Sequence, residues 1–182
     1  MLVLFAGCQP STNSPAAALP PIDQATPEAV ARSVLETVRA ELKAVAAHDR
    51  AAAERARERL VQLAAAHEIL KSLEGSPRFK TVLGDNPLRG YTDLWGATLA
   101  YYADGLALDA VSRAKTSEDG RTAAVHVPAT GEGSRAVIEI ACVRGNDGLW
   151  RVREVLFARA PAAASGPSTA VSQSRPASMP GG

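Results

Sequence analysis

The sequence predicts an α+β domain in which three helices precede an antiparallel sheet. Two observations lead to this fold class: apolar residues recur at helical spacing between residues 26 and 106, and the period changes to two beyond residue 121. Glycine-containing turns separate the segments of period two, as they do in hairpins. Helices followed by hairpins are typical of α+β folds in which the helices cover one face of the sheet.

The first helix is predicted to begin at Thr26 and to end near residue 47. Thr26 can cap this helix, Pro27 suits its first position, and Glu28 lies where the helix dipole favours a negative charge. The apolar stripe that defines it consists of Val30, Val34, Val38, Leu42 and Val45.

A second helix is predicted to follow, from Asp49 to residue 74. His48 and Asp49 interrupt the first stripe, and the Asp49 side chain can cap the next helix. The expected second stripe is Ala52, Ala56, Leu60, Leu63, His67 and Leu70, and it ends at Gly75-Ser76-Pro77. A single uninterrupted helix over residues 27–74 is the alternative to two antiparallel helices.

The third helix is predicted over residues 91–106, after a loop through residues 79–90. Trp95, Leu99, Tyr102 and Leu106 form one stripe at helical spacing, and Gly105 is expected to close the helix.

Three strands are predicted after this helix, over residues 122–127, 136–143 and 150–157, because apolar and polar residues alternate there. The turns between them contain Gly131 and Gly133 and then Gly145 and Gly148, while Gly120 precedes the first strand. Residues 108–115 are a candidate for a fourth strand that leads into the sheet. The sheet is therefore expected to be a three- to four-stranded antiparallel meander.

The composition excludes several classes of protein. The chain has 182 residues with 20 basic and 19 acidic side chains, and this balance gives no reason to expect nucleic-acid binding. No apolar run reaches the roughly 18 residues that span a bilayer. Residues 9–25 and 160–182 are rich in Pro, Ala and Ser and are expected to be a disordered tether and a disordered tail. A single domain is thus predicted over residues 26–159.

The first eight residues, MLVLFAGC, form an apolar run that ends in two small residues and Cys8. This segment resembles the lipobox of bacterial lipoproteins. The resemblance implies that residues 1–8 are the remnant of a signal peptide, that Cys8 is diacylated with chains such as palmitate, and that the peptidase cuts before Cys8. A charged n-region would then lie upstream. The implied protein is anchored by lipid in the bacterial cell envelope, and the tether would place its domain on the order of 20 to 25 Å from the anchor.

Two motifs resemble the nuclear transport factor two-like superfamily, a cone-shaped α+β fold. One is the break Ala47-His48-Asp49 between two helices, and the other is the final hairpin DGLWRVREV over residues 147–155. The resemblance implies a curved sheet that can enclose a pocket, as in the scytalone dehydratases and ketosteroid isomerases of that superfamily. It also implies that Trp150 is a packing residue.

A few polar side chains are candidates for chemistry. Tyr101 and Tyr102 lie at the end of the third predicted helix and could hold a small ligand together with Asp93 or Asp104. His126 points away from the face of Val125 and Val127, and with Asp104 it could form a base and its orienting carboxylate.

The alternative is that the aromatic residues are core or edge residues and that His126 faces solvent. No chemical role is predicted for the remaining candidates. His48 and His67 lack metal-ligand spacing. Cys142 alternates with Ile138 and Ile140, so it is expected to be buried and inert. No cofactor, metal site or phosphate loop is predicted.

Three functions follow from these observations. The first is a lipid-anchored extracytoplasmic domain that binds an envelope protein or another envelope component, without catalysis. The second is a small-molecule binder or a lyase- or isomerase-like enzyme of the cone fold, which would use His126, Asp104, Tyr101 and Tyr102. The third is a cytosolic helical adaptor in which Cys8 is incidental. A pocket where those groups converge would favour the second function, whereas a filled sheet face would favour the first.

Overall fold

The computed structural model describes residues 19–102, 105–107, 110–131 and 134–159. They form an α+β fold, as predicted, with a four-stranded antiparallel sheet and five helices instead of the expected three. The helices are α1 (Pro27–Ala46), α2 (Arg50–Leu63), α3 (Ala66–Glu74), α4 (Pro77–Val82) and α5 (Pro87–Tyr101). The strands are β1 (Lys115–Thr116), β2 (Thr122–Gly131), β3 (Ser134–Arg144) and β4 (Trp150–Arg159). The predicted lipobox with Cys8 and the predicted tail lie outside the described residues.

Helix α1 begins and ends where the sequence indicates. The Ala29 amide donates to the Thr26 hydroxyl over 3.1 Å, which satisfies one of the free donors of the first turn. The buried face of α1 includes Val30, Val34, Leu35 and Val38, and it packs against α2, β2 and β4.

The turn between α1 and α2 settles the choice between one helix and two. His48 has φ of 56°, in the left-handed region that a helix cannot use. Asp49 then caps α2, because its carboxylate accepts a hydrogen bond of 2.9 Å from the Ala52 amide. The two helices pack against each other, so the prediction of separate helices is confirmed.

The predicted second helix is nevertheless broken once more. Ala64 forms a parallel bridge to Val152, and the Ala65 amide donates to the Val152 carbonyl over 2.7 Å. Ala64 and Ala65 thus pair with β4 and are not helical, and α3 begins at the next residue, Ala66. The expected stripe is therefore wrong beyond this break, since His67 is exposed, Leu70 is 40% exposed and Ile69 is buried instead.

The third predicted helix is α5, but its boundaries differ. It begins earlier, because Asn86 accepts a hydrogen bond from the Arg89 amide (3.1 Å) and Pro87 occupies the first turn. It also ends at Tyr101, before Gly105. A Cβ atom on Gly105 would overlap the carbonyl oxygen of Thr130, so this glycine allows a close approach to β2 instead of closing the helix. The short helix α4 overlaps the start of the predicted loop, and the first turn of α5 takes up its end.

The sheet order is β1-β2-β3-β4, with every neighbouring pair antiparallel. The three long strands include the predicted ones and extend beyond them. Of the candidate fourth strand, only Lys115 is in a strand, in β1, while Ser112 contacts β2 through a hydrogen bond from its amide to the His126 carbonyl (2.9 Å). Residues 108 and 109 lie outside the described residues.

The helices cover one face of the sheet, which we call the inner face. The side chains that alternate toward it on the long strands are buried together with the apolar residues of α1, α2, α3 and α5. The fully buried strand residues are Val125, Val127, Ile138, Ile140 and Val152. The opposite face, the outer face, carries no helix among the described residues.

The segment before α1 is attached to the domain. The Trp150 amide donates to the Gln24 carbonyl (2.9 Å), and the Gln24 side-chain amide donates to the Trp150 carbonyl (3.0 Å). The Asp23 amide donates to the Ser33 hydroxyl (3.1 Å), and the Arg59 guanidinium donates to the Pro20 carbonyl. Residues 20–24, which we predicted as part of the tether, thus form a clamp on α1, α2 and β4.

Within the described residues, every helix is too short or too polar to cross a membrane.

Candidate functional site

The His126 side chain lies on the outer face of the sheet, opposite to Val125 and Val127. The register of β2 and β3 places Glu139 directly across from it, and the imidazole Nε2 is 3.1 Å from a Glu139 carboxylate oxygen. Both side chains are about one-third exposed (29% and 33%). The carboxylate that we predicted as its partner, Asp104, lies outside the described residues. The pair is a cross-strand contact on an open face, of the kind that stabilises sheets.

The two tyrosines at the end of α5 form an aromatic cluster with Phe157. Tyr102 stacks on Phe157 with ring centroids 5.2 Å apart, and Tyr101 meets Tyr102 edge-on at 4.8 Å. Phe157 is paired with Ile138, so its ring is on the inner face, and Tyr101 is 65% exposed. Tyr102 and His126 are therefore on opposite faces of the sheet and do not form one constellation.

A second aromatic cluster links α4 to α5. Phe79 meets Tyr91 edge-on at 6.3 Å, and Tyr91 meets Trp95 edge-on at 5.6 Å. Trp95 is only 4% exposed, and burial raises the pKa of the Tyr91 hydroxyl. These rings pack α4 against α5, so their role among the described residues is structural.

Cys142 is buried on the inner face, as predicted. Burial raises the pKa of its thiol to about 12, so almost none of it is the reactive thiolate at neutral pH. Among the residues that the structure describes, no three His, Cys, Asp or Glu side chains are grouped as metal ligands.

A cleft of about 610 Å³ lies where the β3–β4 turn meets the start of α3. Four arginines line it, and we call it the arginine cleft. Arg121 comes from the residue before β2, Arg144 from the end of β3, and Arg151 and Arg153 from β4. Its wall also includes Ala64, Ala65, Ala66 and the exposed His67.

Two of these arginines are held in place by the β3–β4 turn. Arg151 donates two hydrogen bonds to the Asp147 carboxylate, at 3.0 and 2.5 Å, and these bonds hold the pKa of Asp147 down at about 2. Arg144 donates from Nε to the Gly148 carbonyl at 3.1 Å. A Cβ on Gly145 would lie 2.5 Å from Nη1 of Arg151, so a glycine there leaves room for the ion pair over the turn.

This site was not predicted from the sequence, because its arginines are isolated charges in three separate segments. The only signal in the sequence was the hairpin itself. A hairpin with a turn over residues 145–149 brings Arg144 and Arg151 to the same end of the sheet.

No family model, no curated protein and no solved structure matches this chain.

Proposed function

We propose that this protein is a lipid-anchored extracytoplasmic binding domain of the bacterial cell envelope and that it is not an enzyme of the cone fold. The observation that carries the proposal is the separation of the groups on which such an enzyme would depend. His126 is on the outer face of the sheet, whereas Tyr102 packs on the inner-face residue Phe157.

The inner face gives further support. An enzyme of the cone fold would need room between the helices and the sheet for its substrate. Val125, Val127, Ile138 and Ile140 instead lie fully buried against apolar residues of the helices, including Leu99 of α5. Aliphatic side chains in close contact offer neither polar groups nor space for a substrate.

The anchor is proposed from the run MLVLFAGC and its resemblance to a lipobox. More than one acyl chain on Cys8 would hold the protein at a membrane stably, whereas a single chain binds only marginally. Residues 9–19 would then connect the lipid to the clamp at Pro20 and Gln24. The near-balanced charge of the chain fits anchoring by lipid better than anchoring by basic residues.

Cell fractionation tests the anchor. The chain is expressed in a bacterium with its native upstream region, alongside Cys8→Ser and the control Cys142→Ser. We expect the wild type and the Cys142 variant in the membrane fraction and the Cys8 variant in the soluble fraction. If the wild type and the Cys8→Ser variant are both soluble, the anchor proposal is wrong.

A further inference from the structure

We infer that the arginine cleft binds a phosphate-bearing ligand. The inference rests on the proposed function, since it supplies the ligand class for a binding domain. Guanidinium groups are planar forks of donors that match phosphate oxygens in pairs, and several of them in one concave site are the usual means of phosphate recognition.

The charge of the cleft differs from that of the rest of the molecule. Its lining holds four guanidinium groups and two carboxylates, Asp119 and Glu68, and a third carboxylate, Asp147, pairs with Arg151, so a positive charge remains in this small part of a chain that is close to neutral as a whole. Two other clefts, both lined by α1 and α2, carry at least as many carboxylates as guanidinium groups. Guanidinium groups also outnumber carboxylates in a smaller cleft that shares Arg121 and Arg144 with the arginine cleft, so positive charge is concentrated at this end of the sheet.

Donors remain available in this cleft. The guanidinium groups of Arg121 and Arg153 make no hydrogen bond or ion pair within the described part of the chain, and Arg144 uses only its Nε. Arg151 is the exception, because both of its terminal nitrogens bind Asp147. Arg121 and Arg153 are thus the side chains that can turn toward a phosphate, while Arg151 fixes the shape of the site.

The start of α3 adds to the positive potential. Ala65 precedes α3 without a side-chain cap, and the Ala66 amide donates to the Ala64 carbonyl, so the amides of His67 and Glu68 keep their partial positive charge beside the arginines. The contribution of α3 is secondary, because the charge of the cleft comes from the arginines.

The phosphate could belong to a lipid headgroup or to a soluble phosphate compound, and the position of the cleft bears on this choice. Gln24 of the clamp binds the backbone of Trp150, the neighbour of Arg151. The chain that leads to the proposed anchor therefore enters at the end of the sheet where the cleft lies. A lipid-anchored domain would hold this end within reach of headgroups.

Binding measurements on the full chain test the inference. Cys8→Ser is used throughout, so that lipid insertion does not contribute. Pyrophosphate is titrated by calorimetry, and vesicles of phosphatidylcholine with and without phosphatidylglycerol are tested by flotation. The variant is Arg121→Gln with Arg153→Gln, and its matched control is Arg32→Gln with Arg55→Gln, which removes two exposed charges from helices α1 and α2. Thermal unfolding by circular dichroism verifies that both are folded.

We expect saturable binding of at least one probe, weakened by about tenfold or more in the Arg121/Arg153 variant and nearly unchanged in the control, since specific charge-assisted hydrogen bonds are lost only in the former. Binding of pyrophosphate would identify a soluble ligand, and binding only of phosphatidylglycerol vesicles would identify a headgroup. If neither probe binds, or if both double variants weaken binding equally, the inference is wrong. The fractionation result would stand in either case, because it depends on Cys8 alone.

Discussion

Gly96 and Gly90 lie in the same helix, α5, and the structure predicts opposite effects when each is changed to alanine. A Cβ on Gly96 would lie 3.7 Å from Cδ1 of Leu60 and 3.5 Å from a Glu41 carboxylate oxygen, both ordinary contact distances. Alanine is favoured over glycine in a helix interior by about 1 kcal/mol. Gly96→Ala should therefore raise the free energy of unfolding by about 1 kcal/mol, and the melting temperature by about 4 °C.

At Gly90 the same gain in helix propensity meets a steric barrier. A Cβ there would lie 2.5 Å from the Leu83 carbonyl oxygen and 3.1 Å from the Leu83 Cα, so backbone would have to move. Overpacking of this kind costs about 1–3 kcal/mol, and Gly90→Ala should therefore be destabilising overall.

Urea unfolding followed by circular dichroism measures both variants. Because the chemical change is identical, their difference isolates the contacts of α5. Equal stabilisation by both substitutions would refute the described contact of α5 with Leu83. Destabilisation by Gly96→Ala would refute the described distances from Gly96 to Glu41 of α1 and to Leu60 of α2.

Two further predictions concern titratable groups. The Arg151 hydrogen bonds lower the pKa of Asp147 to about 2 from its ordinary value of 3.8. The ion pair should therefore stabilise the fold fully at pH values above 3.8, and this stabilisation should be lost as the pH falls through about 2. Carboxyl NMR titration checks this, and a midpoint at the ordinary value would contradict the described ion pair. The second prediction concerns Cys142, whose buried thiol has a pKa of about 12. In the Cys8→Ser chain this thiol should not react with a thiol reagent at neutral pH until denaturant is added. Rapid labelling of the native protein would contradict the burial of Cys142.

Local patterns in the sequence account for much of the fold. Thr26 and Asp49 cap α1 and α2 as expected, since capping depends on residues within one helical turn. The long strands follow from alternation over several residues and from their glycine turns.

The features that the sequence did not predict are made by contacts between distant segments. Ala64 and Ala65 are good helix formers, but they pair with Val152 of β4 instead of continuing the helix. The partner of His126 is decided by the register of β2 and β3, which places Glu139 opposite it. The arginine cleft likewise exists only when the β3–β4 turn is brought beside α3.

The clamp has a consequence for when the protein can fold. Gln24 and Trp150, which it joins, are 126 positions apart in the chain, and α1 packs on β4 as well. The buried face of α1 therefore lacks part of its packing partner until β4 is present. The core can be completed only after nearly the whole domain has been synthesised. Contacts of such long range make folding slow relative to local helix formation. A chain shortened before Trp150 would therefore lack both the clamp and the strand on which α1 packs.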